Sequence, residues 1–98
     1  MASVVNPILP YAFSVAEESA RKAFCSHVAR LLREERLRQE LSMNVLAERA
    51  GLSRQMVSYI EQEERNPTLD TLLRLTSVLD VKLEDVLAKA RKAARPKK

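Results

Sequence analysis

LSMNVLAERAGLSRQMVSYIEQEERNP, residues Leu41 to Pro67, is the stretch whose reading decides the fold of this 98-residue chain. Its apolar residues recur at helical spacing in two short runs, and Gly51, the only glycine in the protein, lies between them. Ser42 is placed to cap a first helix over about 43–50, in which Leu46, Ala47 and Ala50 share one face. Gly51 then supplies a left-handed turn that a side chain disfavours. Ser53 caps a second helix over about 54–62, with Val57 and Ile60 inward and Arg54, Gln55, Ser58 and Tyr59 outside. Small Ala47 allows the two helices to cross closely.

The flanking sequence is helical as well. Residues 1–13, MASVVNPILPYAF, carry no charged side chain and two prolines, and read as an extended apolar arm because Pro7 and Pro10 oppose a helix across it. Such an arm is costly in water, so it is expected to pack on its own domain or on a second subunit. Ser14 with Glu17 resembles a capping box, and Ala16, Ala20, Ala23, Phe24, Val28, Leu31 and Leu32 then follow helical spacing, which predicts one long helix over about 15–39. Beyond the central stretch, Thr68 caps a helix to about 79 that offers Leu69, Leu72, Leu73, Leu75 and Leu79 to the core. Asp80 and Val81 break it, and a last helix from about 83 turns Leu83, Val86 and Leu87 inward. The expected architecture is all-α: an arm over 1–13, a five-helix domain over 14–88 with an extended first helix, and a basic tail over 89–98.

Composition narrows the function classes. One domain of this size has a modest core and is too small for most enzyme folds with a deep pocket. A single Cys25 excludes an internal disulfide, and with the single His27 it leaves too few soft ligands for structural zinc. Cys25 reads as a small packed residue and His27 as a helix-surface or interface side chain. Paired carboxylates in a pocket, a nucleophile triad and a glycine-rich phosphate loop are all missing from the pattern, so neither catalysis nor a cofactor is expected. No apolar run reaches membrane-spanning length, and a cytoplasmic location is expected. The net charge is +4, yet residues 89–98, KARKAARPKK, hold six of the seventeen basic residues, leaving eleven against thirteen acids in residues 1–88. Any affinity for DNA then has to come from a few placed arginines, helix N-termini and the tail; the plainer reading of the tail is a solubilising end.

Taken together, residues 42–62 read as a helix-turn-helix, and the run from about His27 to Ala88 resembles the phage-repressor and Cro type of helix-turn-helix domain, a repressor-like five-helix bundle. The resemblance is carried by Leu41-Ser42, Leu46-Ala47, Ala50-Gly51-Leu52-Ser53, Val57-Ser58, Ile60-Glu61, Arg65-Asn66-Pro67-Thr68 and the leucine ladder over 69–79. It implies that the second helix of the motif enters the major groove of double-stranded DNA, with Arg54 and Gln55 at base edges and Ser58 and Tyr59 one turn on. Arg suits a bidentate contact to guanine and Gln one to adenine. Tyr59 could meet a base, a sugar or a phosphate; Met56 could meet a thymine methyl or pack inward. Ser42, Asn44, Arg65, Asn66 and Thr68 are the phosphate candidates, at two helix N-termini, while Asn66 and Thr68 also read as turn and cap residues. The family's ion pair between the first helix and the end of the reading helix maps onto Arg36 and Glu61. Two positions depart from the family pattern: Met43-Asn44 stands where a glutamine is common, and Glu63 where a glycine is common, which suggests a longer reading helix.

The expected function is a sequence-specific DNA-binding regulator, a homodimer on a roughly palindromic operator, with reading helices about 34 Å apart. The arm and long first helix are the first candidates for the dimer contact and the last helix the second. The alternative is an antitoxin or protein-bridging adaptor that uses the same fold on a protein partner.

Overall fold

Serine and threonine hydroxyls start three of the five helices. The computed structural model describes the backbone of residues 10–95 and the side chains of residues 16–95. It contains α1 (Pro10–Arg38), α2 (Met43–Ala50), α3 (Arg54–Glu61), α4 (Leu69–Leu79) and α5 (Leu83–Ala94), with no strand among the described residues. The fold is all-α. Ser42 Oγ accepts from Val45 N at 3.1 Å, Ser53 Oγ from Met56 N at 3.0 Å, and Thr68 Oγ1 from Thr71 N at 3.1 Å, so each cap satisfies a first-turn N–H that has no helical partner.

Helix ends follow a second shared rule. After α1, α2, α3 and α4 the chain passes through one left-handed residue: Glu40 (φ 58), Gly51 (φ 72), Glu63 (φ 64) and Asp80 (φ 58). In each case the next N–H reaches back to a carbonyl of the last turn, as Leu52 N does to Ala47 O (2.8 Å) and Glu64 N does to Tyr59 O (2.8 Å). Glu63 therefore does not extend the reading helix, which ends at Glu61. It takes the conformation that a glycine would take, with the strain that a side chain adds there.

The first helix differs most from expectation. It begins at Pro10 rather than near residue 15, because proline at the first helical position gives up only an N–H that would have no partner. Ser14 is inside α1 and does not start it, and positions 10–13 of the expected extended arm are helical. Residues 1–9 of that arm and 96–98 of the expected tail lie outside the described residues. With 29 residues, α1 is roughly 43 Å long at 1.5 Å per residue. Every side chain from Ala16 to Lys22 is exposed, so Ala16 and Ala20 do not join the core.

The core draws on all five helices: Val28 and Leu32, Leu46, Ala47 and Ala50, Val57 and Ile60, Leu75 and Leu79, Val86 and Ala90. Leu46, Val57, Ile60 and Leu79 are almost wholly enclosed. α1 runs antiparallel to α5: Gln39, just past its end, donates to Leu79 O (2.6 Å), while Phe24 far upstream lies under the Arg91 guanidinium. Of the leucine ladder on α4, Leu75 and Leu79 are buried and Leu72 is half-buried, but Leu69 (64 % exposed) and Leu73 (51 %) face outward, one turn apart. No buried side-chain nitrogen or oxygen among the described residues lacks a hydrogen bond. No described helix is long and apolar enough to cross a membrane.

Candidate nucleic-acid interface

α3 is short, sharply two-sided and held at both ends. Its inner side, Val57 and Ile60, is 1 % exposed, which fixes the opposite edge in space. On that edge Arg54 and Gln55 are exposed, and Ser58 and Tyr59 are half-buried. Gln55 Nε2 donates to Tyr59 Oη at 2.6 Å, Gln62 Nε2 donates to Ser58 Oγ at 3.0 Å, and the Arg65 guanidinium stands over the Tyr59 ring, 4.9 Å from its centre. Met56 is half-buried against the core, so packing, not outward display, describes its position.

The far end of α3 is gripped by α1. Arg36 Nε donates to Glu61 Oε2 at 2.7 Å, Nη2 to Glu61 Oε1 at 2.9 Å, and Nη1 to Leu41 O at 2.7 Å. Arg36 is 6 % and Glu61 8 % exposed, so this bidentate pair is sheltered from water. The hydrogen bonds to Glu61 raise the Arg36 guanidinium above its ordinary value and keep it charged despite burial. One arginine thus ties α1, the turn before α2 and the last residue of α3.

The other phosphate candidates divide. Ser42, Asn44, Arg65, Asn66 and Thr68 are all exposed. The Ser42 and Thr68 hydroxyls serve as caps, and Thr68 Oγ1 also donates to Thr71 Oγ1 at 3.0 Å. What α2 and α4 offer an anion is therefore chiefly the backbone N–H groups of their first turns. Asn44 lies in the first turn of α2. Arg65 follows the exposed acids Glu63 and Glu64 and leans back on Tyr59.

One residue escaped the sequence reading. Arg74 on α4 donates from Nη1 to Ala50 O at 3.2 Å, on the last residue of α2, while its Nε donates to Asp70 Oδ2 at 2.8 Å. It fastens α4 to the turn between α2 and α3. The spacing of Asp70 and Arg74, four apart on a capped helix, was the available signal, but it indicates only a surface pair. Near the end of α1, Glu35 accepts from Arg38 and Gln39. These two bonds hold its carboxyl below the ordinary value, against the opposite effect of burial.

The bundle carries surface clefts. One of about 490 Å³ lies between α1 and the segment after α3, with Cys25, Ser26, Arg21 and Glu63 among its lining residues; His27 is not one of them. Among the described residues no group of three or more His, Cys, Asp or Glu is placed to hold a metal ion.

A family model described as helix-turn-helix matches residues 32–86. The match takes in α2, α3 and α4 entire, the last turns of α1 and the start of α5, and is somewhat shorter than the run expected from the sequence. No curated protein and no solved structure matches the chain.

Proposed function

The chain belongs to the Cro-type helix-turn-helix family, a family of DNA-binding regulators, and on that premise we propose that it binds a roughly palindromic operator as a homodimer in the cytoplasm. α3 enters the major groove with Arg54 and Gln55 at base edges and Ser58 and Tyr59 beside them. Backbone N–H groups at the starts of α2 and α4, with Asn44, Arg65 and Asn66, hold phosphates. The observation that carries this reading is a polar outer edge on a helix whose inner side is buried and whose end is clamped by Arg36, so its side chains are presented at a fixed angle.

Selection of bound sequences from a random duplex pool tests it. The expected result is an enriched, two-fold symmetric site with half-sites about 34 Å apart, whose base preferences change with Arg54→Ala and Gln55→Ala. Failure to enrich any sequence, or equal weakening on all sequences, counts against base reading by α3.

A second reading adds a protein partner to the same fold. It is favoured by the exposed stretch of α1 from Ala16 to Lys22, which a DNA-reading bundle does not need. A purified homodimer that alone saturates its operator removes the need for it.

A further inference from the structure

The cleft between α1 and the segment after α3 begins where the outer edge of α3 ends. Arg65 marks the junction, because its guanidinium stands over the Tyr59 ring and also lines this cleft of about 490 Å³. Asn66 lines it too, close to the first turn of α4, where the Thr68 cap occupies only the N–H of Thr71. The opposite wall is α1, which contributes Arg21 and Lys22 from upstream of the core residues Val28 and Leu32. Two acids, Glu18 and Glu63, share the lining, so the cleft holds three bases against two. The two bases of α1 are held loosely. Arg21 is 3.9 Å from Glu17 and Lys22 is 3.5 Å from Glu18, one turn back on the same helix, with more than half of each of the four side chains exposed. Exposed pairs of this kind contribute little, so both cations are free to exchange a carboxylate for a phosphate.

DNA affinity in a body with eleven bases against thirteen acids depends on where the bases stand. Three of the eleven line this one cleft. We propose that the cleft seats the DNA backbone flanking the bases read by α3, with Arg21 and Lys22 as phosphate-binding residues that extend the track begun by Arg65 and the start of α4. The inference rests on the DNA-reading role of α3 proposed above. Both α1 cations lie outside residues 32–86, the span of the helix-turn-helix match. The bundle does not need them to present α3. They add hold and are blind to base sequence.

The test reads salt dependence and phosphate position. Arg21→Ala with Lys22→Ala removes both cations from an exposed stretch and leaves a good helix former at each place. Affinity for the selected operator and its single-base variants is measured across a salt series, with Lys82→Ala, by the α4–α5 turn at the other end of α1, as control. The double variant is expected to weaken binding on the order of tenfold at 0.1 M salt, equally on every sequence, and to reduce the slope of log affinity against log salt by about 1 to 2. Glu18→Gln, which frees Lys22 and removes an acid from the lining, is expected to strengthen binding by up to about fivefold. Ethylation of a phosphate outside the bases read by α3 is expected to block the wild type and not the double variant. Sedimentation is expected to give the double variant the same oligomeric state as the wild type. An unchanged slope, an equal drop in Lys82→Ala, weaker binding in Glu18→Gln, or a loss that follows a changed oligomeric state would overturn the inference and leave base reading by α3 intact. A wild-type protein that enriches no sequence would overturn the DNA-reading role itself, and this inference with it.

Discussion

At the residue scale the decisive side chain is Arg36, because its three hydrogen bonds join segments that are distant in sequence within a site nearly closed to water. A buried pair of this kind adds little net stability over apolar residues of the same size, since desolvation offsets the attraction, but removal of one partner leaves a charge with no compensation. Glu61→Ala is therefore expected to cost about 3–5 kcal/mol in urea denaturation, and Arg36→Met with Glu61→Leu to recover most of it. A single-variant loss below about 1 kcal/mol would mean that water reaches the pair. Glu35 gives a prediction with pH. Its carboxyl is lowered in the fold by the Arg38 and Gln39 hydrogen bonds, so its contribution is complete above the unfolded value near 4.5 and is lost as pH falls through the folded value. On acidification below about pH 5, Glu35→Gln should therefore lose less stability than the wild type, measured by thermal midpoints. Parallel curves would show that the group does not report on folding.

At the scale of elements, the starts of α2 to α5 were legible, while the start of α1 and some of the helix ends were not. Ser42, Ser53 and Thr68 stand just before apolar helical runs, and the local chemistry of a cap depends on few neighbours. Gly51 was legible for the same reason. Glu63 was not, because glutamate, unlike asparagine or aspartate, is not enriched in left-handed backbone and the usual signal is glycine. The outward turn of Leu69 and Leu73 was also hidden: five leucines in eleven residues fit more than one helical face, and only the packing of α2, α1 and α5 selects the face of Leu75 and Leu79. Likewise the Arg74 bond to Ala50 O depends on tertiary placement that no local pattern encodes. Helix ends carry a testable consequence. A side chain in the left-handed region costs about 1–2 kcal/mol, while glycine adds about 0.5–1 kcal/mol of chain entropy, so strain relief wins. Glu63→Gly is expected to stabilise the protein by up to about 1 kcal/mol in chemical denaturation. A fall in stability would show that the Glu63 side chain contributes more than its backbone costs.

At the scale of the whole molecule, charge distribution and shape set how DNA would be held. Residues 1–88 carry slightly more acid than base, so the proposed binding through α3 would rely on few phosphate contacts and not on a broad positive field. Arg65→Ala is expected to weaken binding to all sequences alike and to reduce the slope of log affinity against log salt by about 1. An unchanged slope would place Arg65 away from phosphate and leave its stacking on Tyr59 as its role. The long axis of the molecule, 49 Å against 28 and 23 Å, matches the length of α1, whose exposed upstream stretch reaches past the other four helices. The four left-handed helix ends have an evolutionary corollary. Three of them hold Glu40, Glu63 and Asp80 where glycine would be favoured, and none of the three is among the residues assigned to base reading. Each is a place where a single mutation could raise stability without altering the reading edge, which widens the set of α3 variants that a descendant of this protein could tolerate while it acquires a new operator.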